Sequence, residues 1–178
     1  MASPKAKTAI VIVVVLFLGA IAFLTFKIRA HVIQTRALAE LKENNPVEYY
    51  VRHTPLTQKG DELRNEMEGT WQLRALHSRR TGTFVFLPPG NFNFKTFTET
   101  NWAIATYDAG SNLVYSASGR YTLQGENYSE YIDAATGMMK QYLGANPHFR
   151  IRVVEDKYYQ MSAGENPSVE EMWQRVDQ

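Results

Sequence analysis

The chain has 178 residues, enough for one domain plus accessory segments. It has no cysteine, which excludes disulfides, thiolate metal sites, a cysteine nucleophile and an acylated cysteine anchor. The net charge of +1 is unevenly spread: residues 1–59 hold eight Lys/Arg against three Asp/Glu, and residues 60–178 hold eleven against fifteen. The larger, mildly acidic part argues against nucleic acid as a partner, because phosphate binding needs clustered cations.

After a short tail (1–8), Ala9 to Phe26 is an uncharged apolar run of eighteen residues flanked by Lys5, Lys7, Lys27 and Arg29. As a helix it measures about 27 Å, enough for the hydrocarbon layer, so a single transmembrane anchor is expected. A signal peptide cut after Ala20-Ile21-Ala22 is the competing reading, but Phe23-Leu24-Thr25-Phe26 continues the apolar run beyond that site. With the short tail inside, either reading puts the following domain outside the cytoplasm. The basic flanks would meet anionic lipid headgroups.

Residues 27–65 read as a helical stalk and linker. Ile33, Ala37 and Leu41 recur at helical spacing, and the helix is expected to stop before Pro46. The pattern is too short for a heptad seam. Residues 46–60, with two prolines, read as linker, and 61–68 as one short helix.

From Gly69 the period changes to two. In residues 71–77, Trp71, Leu73, Ala75 and His77 share one face, the mark of a half-buried strand. Strands are expected at 83–87, ending at Pro88-Pro89-Gly90, and at 91–97, where Phe92 and Phe94 alternate with Asn93 and Lys95. Further strands follow at 102–107, 112–118, 119–123 and 127–132, with hairpin turns at Asp108–Ser111 and Gln124–Glu126. Residues 134–143 read as a short helix, and 148–154, 157–162 and 170–176 as the closing strands. Eight to ten sequential strands imply a mainly β, antiparallel up-and-down meander. Closing it into a barrel removes both its free edges and its exposed apolar face.

Gly69-Thr70-Trp71 on the first strand and Arg175 on the last resemble the Gly-x-Trp motif and closing arginine of lipocalins and the wider calycins. That resemblance implies a Trp71 indole plugging one barrel end under the Arg175 guanidinium. Four ordered blocks, FTETNW, GRYTLQGENYSEYI, FRIRVVEDKYY and EEMWQRV, resemble the lipocalin-like domains of unknown function found in bacterial exported proteins. The likeness spans roughly 66–177 and departs from that pattern at Arg120 and Ser129. It implies a lipocalin-like barrel over 66–178, with Gly69, Trp71, Trp173 and Arg175 as structural closure.

Strand parity proposes a lining of Leu73, Phe94, Trp102, Ile104, Tyr121, Tyr128, Glu130, Phe149 and Ile151. Phe94, Trp102, Tyr121, Tyr128, Glu130 and Phe149 are the ligand-contact candidates, for a small and partly apolar molecule. A filled hydrophobic core is the plain alternative for each. Glu130 stands out because a buried carboxylate is costly unless paired. It would orient a ligand's polar group, pair with an inward arginine or tyrosine hydroxyl, or sit in water at the rim.

No histidine pair has metal-ligand spacing, and no nucleophile–base constellation or phosphate-binding loop is present, so no metal, cofactor or enzymatic activity is expected. The leading expectation is a membrane-anchored, non-catalytic carrier. A filled barrel that docks a protein partner through its rim or outer surface is the alternative.

Overall fold

The computed structural model describes the backbone of residues 4–56, 61–78, 80–88, 92–164 and 167–176, and the side chains of those from residue 23 onward. The chain divides into two units, Met1–Glu40 and Leu41–Gln178.

The described residues of the first unit, 4–40, belong to helix α1 (Pro4–Asn44). Among the described residues no helix is long and apolar enough to cross a membrane. Most of the anchor expected at 9–26 lies outside the described side chains.

In the second unit, α1 stops where Pro46 removes a backbone donor, and Asn45 Oδ1 accepts from Glu48 N at 3.0 Å to start α2 (Pro46–Glu48). A π-helical turn, Tyr49–His53, follows. These residues were expected as linker, yet Val47 and Val51 are fully buried against Ala75, Tyr159, Met161 and Met172. Apolar residues one turn apart let the segment lie flat on the outside of the sheet. Helix α3 (Asp61–Met67) precedes the first strand.

Nine strands follow: β1 (Gly69–Ser78), β2 (Thr83–Phe86), β3 (Asn93–Phe97), β4 (Asn101–Tyr107), β5 (Leu113–Gln124), β6 (Asn127–Ala135), β7 (His148–Val154), β8 (Lys157–Ser162) and β9 (Glu170–Arg175). All neighbours are antiparallel, and β1 also pairs with β9, so β1 and β3–β9 close an eight-stranded barrel. β2 and β3 share one edge of β1 in series. β3 takes Gly69–Gln72, and β2 takes Ala75–Ser78.

Register shifts interrupt the β1–β9, β4–β5 and β5–β6 pairings, and the first and last of them bear on the barrel interior. In the β1–β9 pairing Leu73 faces Trp173 and Ala75 faces Met172, leaving Arg74 as the extra residue. Trp71 and Leu73 therefore enter the barrel core, whereas Ala75 joins the outer cluster. The expected single face from Trp71 to His77 is thus broken: His77 pairs with outward Phe84, and its Nδ1 lies 3.5 Å from Glu170. The β5–β6 bulge sits between Ser118 and Gly119. There a Cβ on residue 119 would lie 1.7 Å from the Tyr131 carbonyl oxygen, so only glycine fits. The bulge lets one long β5 run through the two strands expected at 112–118 and 119–123. β6 likewise extends to Ala135, and the short helix expected at 134–143 is a 3₁₀ helix over Gly137–Tyr142.

Candidate functional site

The start of β1, the end of β9 and the β3–β4, β5–β6 and β7–β8 turns define one end of the barrel. Trp71 is fully buried there beneath α3, among Leu63 and Met67, and donates through Nε1 to the Met67 carbonyl at 2.7 Å. The Arg175 guanidinium lies 4.2 Å from the centroid of the Trp71 ring and donates to the backbone carbonyls of Glu66 and Glu68. Gly69 has φ +117, and a Cβ there would approach Arg175 Nη1 to 2.8 Å. Trp173 is fully buried above them. This end is shut.

The barrel is lipocalin-like. Eight up-and-down strands closing on themselves, with a tryptophan plug under the arginine of the last strand, define it. No protein-family profile and no curated protein matches the chain. A lipocalin-like protein from Bacteroides uniformis is similar at 16% identity and a TM-score of 0.48, over 62% of this chain and 99% of that one. An uncharacterized protein from Bacteroides eggerthii gives 12% identity and a TM-score of 0.47 over the same shares.

Mid-barrel, Lys95 reaches inward from β3 and is 2% exposed. Its Nζ donates to Glu130 Oε1 from β6 and to Gln160 Oε1, 2.8 Å away, from β8. Each acceptor receives a second hydrogen bond from a tyrosine: Tyr128 Oη donates to Glu130 Oε1 at 2.8 Å, and Tyr158 Oη to Gln160 Oε1 at 2.7 Å. Six ring centroids surround the ammonium, from 5.4 Å (Phe97, Trp102) to 6.0 Å (Tyr158). Paired charge and aromatic faces together offset the desolvation of a buried lysine. Burial pushes the Tyr128 and Tyr158 hydroxyls well above their usual range, and the Glu130 charge pushes the same way, so both stay protonated as donors.

Glu171 on β9 pairs with Gln160 and Leu76 and so faces inward beside this network. Trp173 Nε1 donates to its Oε2 at 3.1 Å. Burial pushes the Glu171 carboxyl up and Glu130 adds to this, while Lys95 opposes it. Glu171 nevertheless keeps accessible surface. An indole donor is also left over: Trp102 Nε1 is buried with no acceptor among the described residues.

Of the six ligand-contact candidates, Trp102, Tyr121, Tyr128, Glu130 and Phe149 lie in this interior. Tyr121 donates to the Thr98 carbonyl at 2.9 Å, near the shut end. Phe94 does not join them. Lys95 and Phe97 are buried inside, so the alternation turns Phe94 to the outer face, where it is half-buried. Sequence reasoning missed Lys95, Gln160 and Glu171. The signal was present in the parity of Lys95 with Phe97, of Gln160 with Tyr158 and of Glu171 with Trp173, but apolar Phe94 outweighed a lysine as an inward candidate.

Towards the opposite end the interior changes character. Leu76, Leu87, Ile104, Ala135, Met139 and Ala145 pack against the core yet remain partly exposed. Beyond them the rim carries exposed Phe92, Tyr107, Leu113, Val114, Met138, Tyr142 and Leu143. A depression of about 370 Å³ is lined by Thr96, Thr98, Asn101, Trp102, Ala103, Ser118, Gly119 and Asp133, and none of Lys95, Glu130, Gln160 and Glu171 belongs to its lining.

Proposed function

We propose that the protein is a non-catalytic binding module whose barrel admits a small, partly apolar molecule at the end opposite Trp71. The observation that carries this reading is the change in burial along the barrel. At the Trp71 end Leu63, Met67, Trp71, Tyr158 and Trp173 are fully buried, with Leu123 beside the β5–β6 turn half-buried. At the other end Leu76, Ile104, Ala135 and Met139 are inward, apolar and still partly accessible to solvent. Lys95, Glu130, Gln160 and Glu171 form the floor between the two halves. Apolar walls over a few fixed polar groups are the usual composition of a small-molecule site. Contacts are thus assigned to the upper wall and the floor, while Tyr121 and Tyr128 support the floor from below.

The apolar run at 9–26 is read as the membrane anchor, with the barrel on the far side of the bilayer from the short tail. Native mass spectrometry of the full chain released from lipid nanodiscs, compared with the denatured chain, tests the carrier reading. An extra mass lost on denaturation supports it. Bare protein in repeated preparations turns the reading towards a docking module, which the exposed rim favours: Met138 is 63% and Leu143 60% exposed.

A further inference from the structure

The floor of the barrel has an unbalanced charge. Lys95 brings one ammonium, whereas Glu130 and Glu171 bring two carboxylates. Glu130 is committed to Lys95 and Tyr128. Glu171 has only the Trp173 indole on one oxygen, and its other oxygen has no donor among the described residues. The inner cation Arg175 cannot serve, because it is held at the shut end over Trp71 by the carbonyls of Glu66 and Glu68. Arg64 belongs to α3 at that same end. A desolvated carboxylate without a cation is costly, and Glu171 sits opposite Leu76, one of the half-buried apolar residues of the upper barrel.

We propose that the barrel takes a ligand with an ammonium group on an apolar body, and that Glu171 is the counter-charge that receives it. This rests on the carrier reading above and names the ligand class for that same site. The ligand's apolar part lies along Leu76, Ile104, Ala135 and Met139, whose side chains offer it no competing polar group. Its ammonium donates to the free oxygen of Glu171 and completes the neutralisation that Lys95 begins. A carboxylate or phosphate at that place would add a second unbalanced negative charge beside Glu171, and an uncharged alcohol would leave the imbalance in place.

The test uses the full chain in lipid nanodiscs at pH 7, with empty nanodiscs as the blank and two near-isosteric probes, 4-phenylbutylamine and 4-phenylbutan-1-ol. Calorimetric titration is expected to give about ten-fold tighter binding of the amine, the scale of a charge-assisted hydrogen bond. Glu171→Gln is expected to abolish that preference, with the alcohol still binding as proof of an intact pocket. Ala135→Leu, which fills the upper barrel, is expected to weaken both probes together. Equal binding of amine and alcohol to the wild type, or a preference that survives Glu171→Gln, overturns the counter-charge role and leaves the carrier reading standing. Binding of neither probe, or binding indifferent to Ala135→Leu, overturns both.

Discussion

Lys95 and Glu130 are each other's reason for being inside. Neither could be buried alone, since the desolvation of an isolated charge exceeds any packing gain. Lys95→Met should therefore cost about 3–5 kcal/mol by leaving Glu130 unpaired, and Glu130→Leu should cost a similar amount. The double variant Lys95→Met/Glu130→Leu should recover most of that loss in urea unfolding, because two apolar groups of similar volume need no mutual neutralisation. Glu171 follows the opposite logic. Its carboxyl is pushed up in the fold, so folding favours its protonated form. Its contribution to stability is present below the unfolded value and fades as pH rises towards the folded one. Glu171→Gln, which cannot ionise, should melt higher than wild type at pH 7 without bound ligand and no higher at pH 4.

Among elements, β1 bears most of the closure. It holds β9 on one edge, β2 and β3 in series on the other, and carries Trp71. Trp71→Ala removes the plug and should cost about 3–5 kcal/mol, read from chemical denaturation. The β5–β6 turn is fastened separately. Burial acts to raise the Glu126 carboxyl, but Arg152 and Arg150 on β7 outweigh it and hold it below the usual range. Arg152 also donates to the Thr54 carbonyl, tying in the segment that packs on the outer wall. The sign here is that of a depressed carboxylate: stability present above the unfolded value and lost as pH falls through the folded one. Glu126→Gln should lower the melting temperature at pH 7, and its difference from wild type should shrink below pH 4.

For the molecule as a whole, the succession of strands was legible in the sequence because it rests on local signals. Alternation bounded by turn residues marks β7 at 148–154 and β8 at 157–162 with the bounds observed. Arg175 over Trp71 is the contact implied by the resemblance. What stayed hidden depends on partners distant in the chain. The Arg74 bulge is set by β9, about a hundred residues away, so nothing near Leu73 announces that Ala75 and His77 turn outward. Residues 46–53 resemble a linker until Tyr159 and Met161 supply an outer surface for Val47 and Val51. The interior lysine was hidden for a chemical reason: lysine is ordinarily a surface residue, and only the need of Glu130 for a cation reverses that.

The ambiguity of Asn93 to Phe97 faces the folding chain as well as its reader. A β3 slipped by one residue would turn Phe94 and Thr96 inward and Lys95 and Phe97 outward, exchanging one inward phenylalanine for another and removing the lysine, so by hydrophobicity alone it would be acceptable. The ion pair removes that choice. Lys95, Glu130 and Gln160 belong to three strands drawn from different hairpins, and they meet only when all three stand in register. Any slip strands a carboxylate in the interior. The lysine thus acts as an alignment pin, and the double variant that keeps stability should lose that function. A second set of amide resonances for residues 93–97 in Lys95→Met/Glu130→Leu would reveal the slipped strand; a single native set would show that the hairpin turns alone hold the alignment.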